Sequence, residues 1–328
     1  MKALVYTGPE AMSYQDVDEP LETAGENLIR VDAVGICGSD MHAYLGHDER
    51  RPAPLILGHE AAGTVIEGPL KGKRVTVNPL VTCGTCEACL EGRNNLCPTR
   101  QIISMPPREG AFAELLRMPS ENLVELPDDF GFDKAALAEP LAVCWHGVKV
   151  ANHALVRPIG KTRCLVIGGG AIGLGSALSL IAFGAQDVTL AETNPLRRDY
   201  LQGRFNGTVV DPATLAGDFD LVIDAVGFRA TRALACAKTK PGGVICHIGL
   251  GDSKDGLDIR RLTLQEITFV GTYTYTPDDF RDTVDAMVNG SLGALDWTQI
   301  QPLSEGQSAF SAVRAGTIDA PKVVLHPK

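Results

Sequence analysis

The rhythm of hydrophobic and polar positions changes once along this chain. Up to about residue 140, short β-branched or alternating runs such as Lys2–Tyr6, Asn27–Val34 and Ala61–Glu67 are separated by Gly and Pro, the pattern of strands joined by turns. From Cys164 the rhythm becomes strand, glycine turn, helix, strand. It predicts strands at Arg163–Ile167, Asp187–Ala191, Thr208–Val210, Leu221–Ala225, Val244–Ile248 and Thr268–Val270, with helices such as Ala171–Phe183 and Arg229–Thr239 between them. That alternation implies an α/β fold with a doubly wound parallel sheet covered on both faces. After Tyr273 the pattern predicts a helix over Pro277–Val288, then a loop, and a last strand at Lys322–Leu325. This tail is too small for its own core and is expected to fold back onto the N-terminal region.

Composition adds exclusions. The chain has 328 residues, 45% hydrophobic and 21% charged, enough for about two globular domains and too apolar for disorder. Its net charge of −10 repels phosphate backbones and anionic lipid, so neither nucleic acid nor a membrane is an expected partner. Cys164–Ala185 is uncharged over 22 residues, but its six glycines fit a strand, a turn and a buried helix better than a membrane span. The opening residues lack a secretory apolar segment, and four of the nine cysteines crowd into 83–97; together these suggest a cytoplasmic protein with metal thiolates in place of disulfides.

Gly168-Gly169-Gly170-Ala171-Ile172-Gly173 fits the G-x-G-x-x-G pattern and follows the strand ending at Ile167. The glycines at 168, 170 and 173 permit a tight turn and close approach of a pyrophosphate, while Ala171 and Ile172 open a helix whose free N–H groups face the phosphates. Glu192 closes the next strand 19 residues after Gly173, where its carboxylate can accept from both adenosine ribose hydroxyls and repel a 2′-phosphate. NAD is therefore the expected cofactor, although Arg197 and Arg198 stand just beyond and suit a phosphate.

Cys83, Cys86, Cys89 and Cys97 are spaced C-x2-C-x2-C-x7-C. Four thiolates wrap one tetrahedral zinc at about 2.3 Å each and leave no open position, so this zinc is expected to be structural. The seven-residue last gap does not match the usual iron–sulfur run. Cys144, Cys164, Cys236 and Cys246 lie in apolar stretches and read as plain core.

Cys37, His59, Glu60 and Glu139 are scattered, and each alone has a bland explanation as core thiol, loop histidine or helix-end charge. Their surroundings are more informative. Gly35-Ile36-Cys37-Gly38-Ser39-Asp40, Gly58-His59-Glu60-Ala61-Ala62-Gly63 and Ala138-Glu139-Pro140-Leu141, with the cysteine loop and the glycine turn, resemble in order the motifs of medium-chain zinc alcohol dehydrogenases, closest to the sorbitol and polyol branch. The resemblance implies a β-rich GroES-like catalytic domain from 1–140 and 273–328, with a Rossmann domain at 141–272 inserted. It makes Cys37 and His59 ligands of a catalytic zinc, with Glu60 and Glu139 at the acidic positions and the choice between them open. Asp40 would orient the His59 ring, while Ser39 and His42 would relay the alcohol proton.

The implied activity is NAD-linked oxidation of a secondary alcohol, diol or sugar alcohol to the ketone. Two alternatives stand beside it: an NAD(P)H-dependent carbonyl reductase, or an L-threonine-type dehydrogenase. A non-catalytic dinucleotide-binding protein holding only the structural zinc is the rival from another class. Thr274 replaces an arginine of the polyol branch, which puts sorbitol itself in doubt. Tyr44, His47, Asp48, Arg108 and Glu109 line a substrate cleft by analogy of position, or form a solvated loop. The run Glu266–Thr272 suggests an edge strand pairing with a two-fold mate, hence a homodimer or homotetramer.

Overall fold

The computed structural model describes residues 1–327. Two compact units divide the chain: Met1–Glu139 with Thr276–Asn289 and Leu295–Lys328, and Pro140–Tyr275 with Gly290–Ala294.

In the second unit six strands lie parallel in the spatial order Thr208–Val210, Asp187–Ala191, Arg163–Ile167, Phe219–Asp224, Thr239–His247, Thr268–Gly271. Leu165, Val166, Leu221, Val222 and Ile223 are fully buried, as expected for central strands covered on both faces. The order reverses between the strands ending at Ile167 and Asp224, and a crevice outside the carboxyl ends of such a sheet is where nucleotides bind in open α/β folds. The uncharged stretch from Cys164 resolves into a strand, a turn and the helix Ala171–Ala182, and no helix among the described residues is long and apolar enough to cross a membrane. Strand Thr239–His247 starts earlier than its apolar run indicates, passing through Pro241 and two glycines. A register shift opposite Phe219–Leu221 absorbs these poor strand formers.

In the first unit a sheet of seven strands is built around Glu26–Gly35. Its order is Leu123–Glu125, Arg74–Val77, Glu60–Glu67, Glu26–Gly35, Lys322–His326, Thr298–Pro302, with Leu115–Pro119 also paired to the central strand. The last strand of the chain thus enters this sheet directly beside Gly35, with Val324 opposite it.

The segment between Asn289 and Lys322 is not the expected loop. It contains the strand Thr298–Pro302 and the helix Gly306–Ala315. The strand escaped because Ile300, its one branched aliphatic residue, is half exposed and is flanked by Thr298, Gln299, Gln301 and the poor strand former Pro302. The helix buries little beyond Ala309 and Phe310, together with Gly306, where an added Cβ would fall 2.1 Å from Leu4. Its end did carry a readable signal, Gly316 in the left-handed region at φ 67°.

Helix Pro277–Val288 shows how local sequence sets an element. The Thr276 hydroxyl accepts from the Asp279 backbone N–H at 3.1 Å, and the Asp279 carboxylate accepts from the Thr276 N–H at 3.2 Å, a reciprocal cap with Pro277 in the first turn. Thr276→Ala is expected to lower stability by about 1 kcal/mol in urea unfolding. An unchanged midpoint would mean that the helix does not depend on this cap.

Candidate functional site

Strand pairing brings together side chains that could hold a metal ion. Gly35 ends the central strand directly opposite Glu60, which opens its neighbour, so Cys37 and His59 are carried to the same sheet corner. Only glycine fits at position 35, because a Cβ there would lie 2.0 Å from Glu60 Oε2. One ligand atom each from Cys37, His59 and Glu60 lies within 4.8 Å of the others. Glu139 stands in the first turn of helix Ala138–Ala154, buried but not part of that trio.

The surroundings hold the cluster in place. The Asp40 carboxylate accepts from the backbone N–H of Cys37 at 3.0 Å and of Gly58 at 3.1 Å, and lies 3.4 Å from His59 Nδ1. Ser39 Oγ is 3.3 Å from the other ring nitrogen, Nε2. Lys322, on the last strand, donates to Glu60 Oε1 at 2.6 Å and to the Ile36 carbonyl at 2.9 Å, with both side chains fully enclosed.

Charge in this pocket is strongly biased. Burial opposes protonation of His59, yet the Asp40 carboxylate and the Cys37 sulfur outweigh it and hold its pKa well above the usual value. Burial likewise opposes the charge of Lys322, but Glu60 and Cys37 keep it protonated, with a raised pKa. The pocket thus favours positive charge at the point where Cys37, His59 and Glu60 converge. Glu60 Oε2 is buried without a hydrogen-bond partner, an arrangement costly unless another group binds it. A sulfur, an imidazole and an unsatisfied carboxylate oxygen suit zinc, and the cluster leaves a position for a further ligand.

A second cluster is formed by Cys83, Cys86, Cys89 and Cys97, whose sulfurs all lie within 4.8 Å of one another. Backbone N–H groups of Thr85 and Cys86 point at Cys83 Sγ and bring its pKa down to about 5, so one thiolate is ready for a cation. Cys144, Cys164, Cys236 and Cys246 are buried within the second unit.

The glycine turn is closely constrained. Gly168 has φ 98°, and a Cβ on Gly173 would sit 1.7 Å from the Gly168 carbonyl, so neither position accepts a side chain. Ala171 and Ile172 begin the helix Ala171–Ala182. The Glu192 carboxylate accepts from the Gly169 N–H and the Asn194 N–H, both at 2.7 Å, which fixes it beside the turn. An Arg197 guanidinium nitrogen lies 3.9 Å from where a Cβ on Gly170 would be. Arg198 is committed elsewhere, to the Glu192 and Thr193 carbonyls and, at 3.0 Å, to Asp211.

His42 is half-buried on the helix Gly38–Tyr44, its ring centroid 6.5 Å from that of His47. Four of the other polar residues considered for substrate have framework partners. Tyr44 OH is 2.9 Å from Gln307, Asp48 pairs with Arg50 and Arg51, Arg108 pairs with Glu26 at 2.9 Å, and Glu109 accepts from the Ile56 N–H. Sequence reasoning missed Lys322. A lone lysine in Lys322-Val323-Val324-Leu325, where every residue is buried, was the signal available.

Two families match the sequence: the alcohol dehydrogenase GroES-like domain over residues 23–128, and the zinc-binding dehydrogenase domain over 171–289. L-galactonate-5-dehydrogenase of Escherichia coli (strain K12) is 33% identical over 90% of this chain and 89% of its own length. Sorbitol dehydrogenase of Bacillus subtilis (strain 168) is 32% identical over 100% and 97%. A solved structure from Sinorhizobium meliloti 1021, bound to NADP, superposes with TM-score 0.87 at 27% identity, covering 99% of each chain.

If Lys322 neutralises Glu60, Lys322→Met should destabilise the chain by about 3 kcal/mol, and adding Glu60→Gln should return most of that loss, because the penalty comes from a buried charge left alone. Equal losses in the single and double variants, measured by urea unfolding, would show that the pair is not coupled.

Proposed function

The chain belongs to the medium-chain, zinc-dependent alcohol dehydrogenase family, and from that premise we propose that it oxidises a secondary alcohol of a polyhydroxylated substrate, a diol or sugar alcohol, to the ketone with NAD. The observation that carries this reading is the trio Cys37, His59 and Glu60, with an unsatisfied carboxylate oxygen and the Ser39 hydroxyl beside it. Relatives that act on galactonate and sorbitol, by their names, support the substrate class.

Cys37, His59 and Glu60 would hold the catalytic zinc, with Glu139 as a nearby acidic group. The four clustered cysteines would hold the structural one. When bound, zinc supplies Lewis-acid polarisation of the substrate hydroxyl and the dinucleotide supplies the carbon that accepts hydride. Ser39, whose oxygen stands 3.3 Å from His59 Nε2 at the edge of the ligand set, would take up the substrate hydroxyl proton while giving up its own hydroxyl proton. His42, one turn further along the same helix and partly exposed, passes that proton to water. Asp40 holds the His59 ring in one orientation.

The glycine turn at Gly168, Gly170 and Gly173 would take the pyrophosphate, with Arg197 beside it. Glu192 favours NAD over NADP: it is fixed by two backbone N–H groups, its charge repels a 2′-phosphate, and Arg198 is engaged with Asp211. The strand Thr268–Gly271 is an edge of its sheet, which supports a homodimer formed by pairing this edge with its two-fold mate.

Initial rates of NADH and NADPH formation at mildly alkaline pH, over sugar alcohols, vicinal diols, sugar acids, L-threonine and simple alcohols, test the proposal. We expect one polyhydroxylated substrate to lead, with NAD favoured over NADP and that preference reduced about tenfold by Glu192→Ala, roughly the 1.4 kcal/mol of one charge-assisted contact. A simple alcohol leading the panel would overturn the substrate class. An unchanged cofactor ratio in Glu192→Ala would overturn the role of Glu192.

A further inference from the structure

Behind His59 lies a second set of buried polar groups that the mechanism above does not use. Ser104 is fully buried and adopts the left-handed conformation, φ 69°, which non-glycine residues hold only when their surroundings compel it. Its hydroxyl lies 3.4 Å from His59 Nδ1, the same distance as Asp40 Oδ1 from that nitrogen. Its carbonyl accepts from Arg51 Nε at 3.0 Å. Arg51 is itself buried, its side chain 4% exposed, and its other anchor is Asp48, whose side chain is 8% exposed. A buried guanidinium without a carboxylate is rarely tolerated, and Asp48 supplies one.

We propose that Arg51 is a positioning residue of the metal centre. Anchored by Asp48, it holds Ser104 in its left-handed conformation, so that the Ser104 hydroxyl and the Asp40 carboxylate confine Nδ1 of His59 from two separate elements and leave Nε2 as the metal-binding nitrogen. The inference rests on the reading of Cys37, His59 and Glu60 as a zinc site. The planar, forked guanidinium matters here, since one N–H reaches the Ser104 carbonyl while another holds Asp48, a geometry a lysine does not reproduce.

Ser104→Gly separates positioning from stability. It removes the hydroxyl while relieving the positive φ, so a residue serving only the fold would give an equal or higher melting temperature and unchanged metal binding. The test uses the full-length protein with cobalt(II) in both metal sites, in competition with dipicolinate. Visible absorption reports the catalytic site, and the four-cysteine site serves as the internal reference. We expect Ser104→Gly to keep its melting temperature yet lose catalytic-site cobalt about tenfold more readily, with an altered visible band. Arg51→Lys should shift both readouts in the same direction, and the four-cysteine site should be unaffected. Wild-type retention and an unchanged band in Ser104→Gly would overturn the proposal and leave the zinc site standing. A wild-type chain that takes up cobalt only at the four cysteines would overturn the zinc-site reading and this inference with it.

Discussion

A lysine on the last strand reaches 262 residues back along the chain to hold a glutamate in the interior: Lys322 on Glu60, with both side chains closed off from water. Such a pair is weak evidence of net stability, because removing two ions from water costs about as much as their attraction returns. It does fix geometry. With one oxygen of Glu60 bound to Lys322 and the other left without a hydrogen-bond partner, the carboxylate has a single open direction. Gly35 makes room for it, and the same strand pairing that places Glu60 opposite Gly35 brings Cys37 and His59 alongside. The tail therefore completes the metal cluster as well as the sheet.

The carboxyl groups of Asp40, Glu60 and Glu139 are buried around the site with Lys322, and burial makes unbalanced negative charge expensive. A divalent cation held by Cys37, His59 and Glu60 would offset it; the same bias is visible at His59, where Asp40 and Cys37 outweigh burial and raise the pKa. The supports of the site follow from the same need. Asp40 is held by two backbone N–H groups, and Arg51 balances part of the buried negative charge near it.

What the sequence revealed and what it hid divide along one line. The glycine turn and the four-cysteine run were legible because their chemistry depends on neighbours a few residues apart, whereas Cys37 and His59 stood out only through the resemblance of their segments to a known family. The central parallel strands were legible because strands buried on both faces leave continuous apolar runs, and the edge strands Thr208–Val210 and Thr268–Gly271 followed from their alternation with helices. Lys322, Arg51 and Ser104 were not, since each acquires its role from a partner distant in sequence and none sits in a motif. The strand Thr298–Pro302 and the helix Gly306–Ala315 were hidden for a related reason: each is half covered and buries too few side chains to impose a period. Tyr44, Asp48, Arg108 and Glu109, which analogy of position offered as cleft lining or as a solvated loop, each have a partner within the fold that no local pattern announced.

Two metal sites of different character would result, one closed by four thiolates and one open, made by Cys37, His59 and Glu60. Elemental analysis of the purified protein distinguishes them. Two zinc ions per chain are expected, falling to one in His59→Ala with the four-cysteine site still filled. One zinc in the wild type, or two retained in His59→Ala, would contradict this expectation.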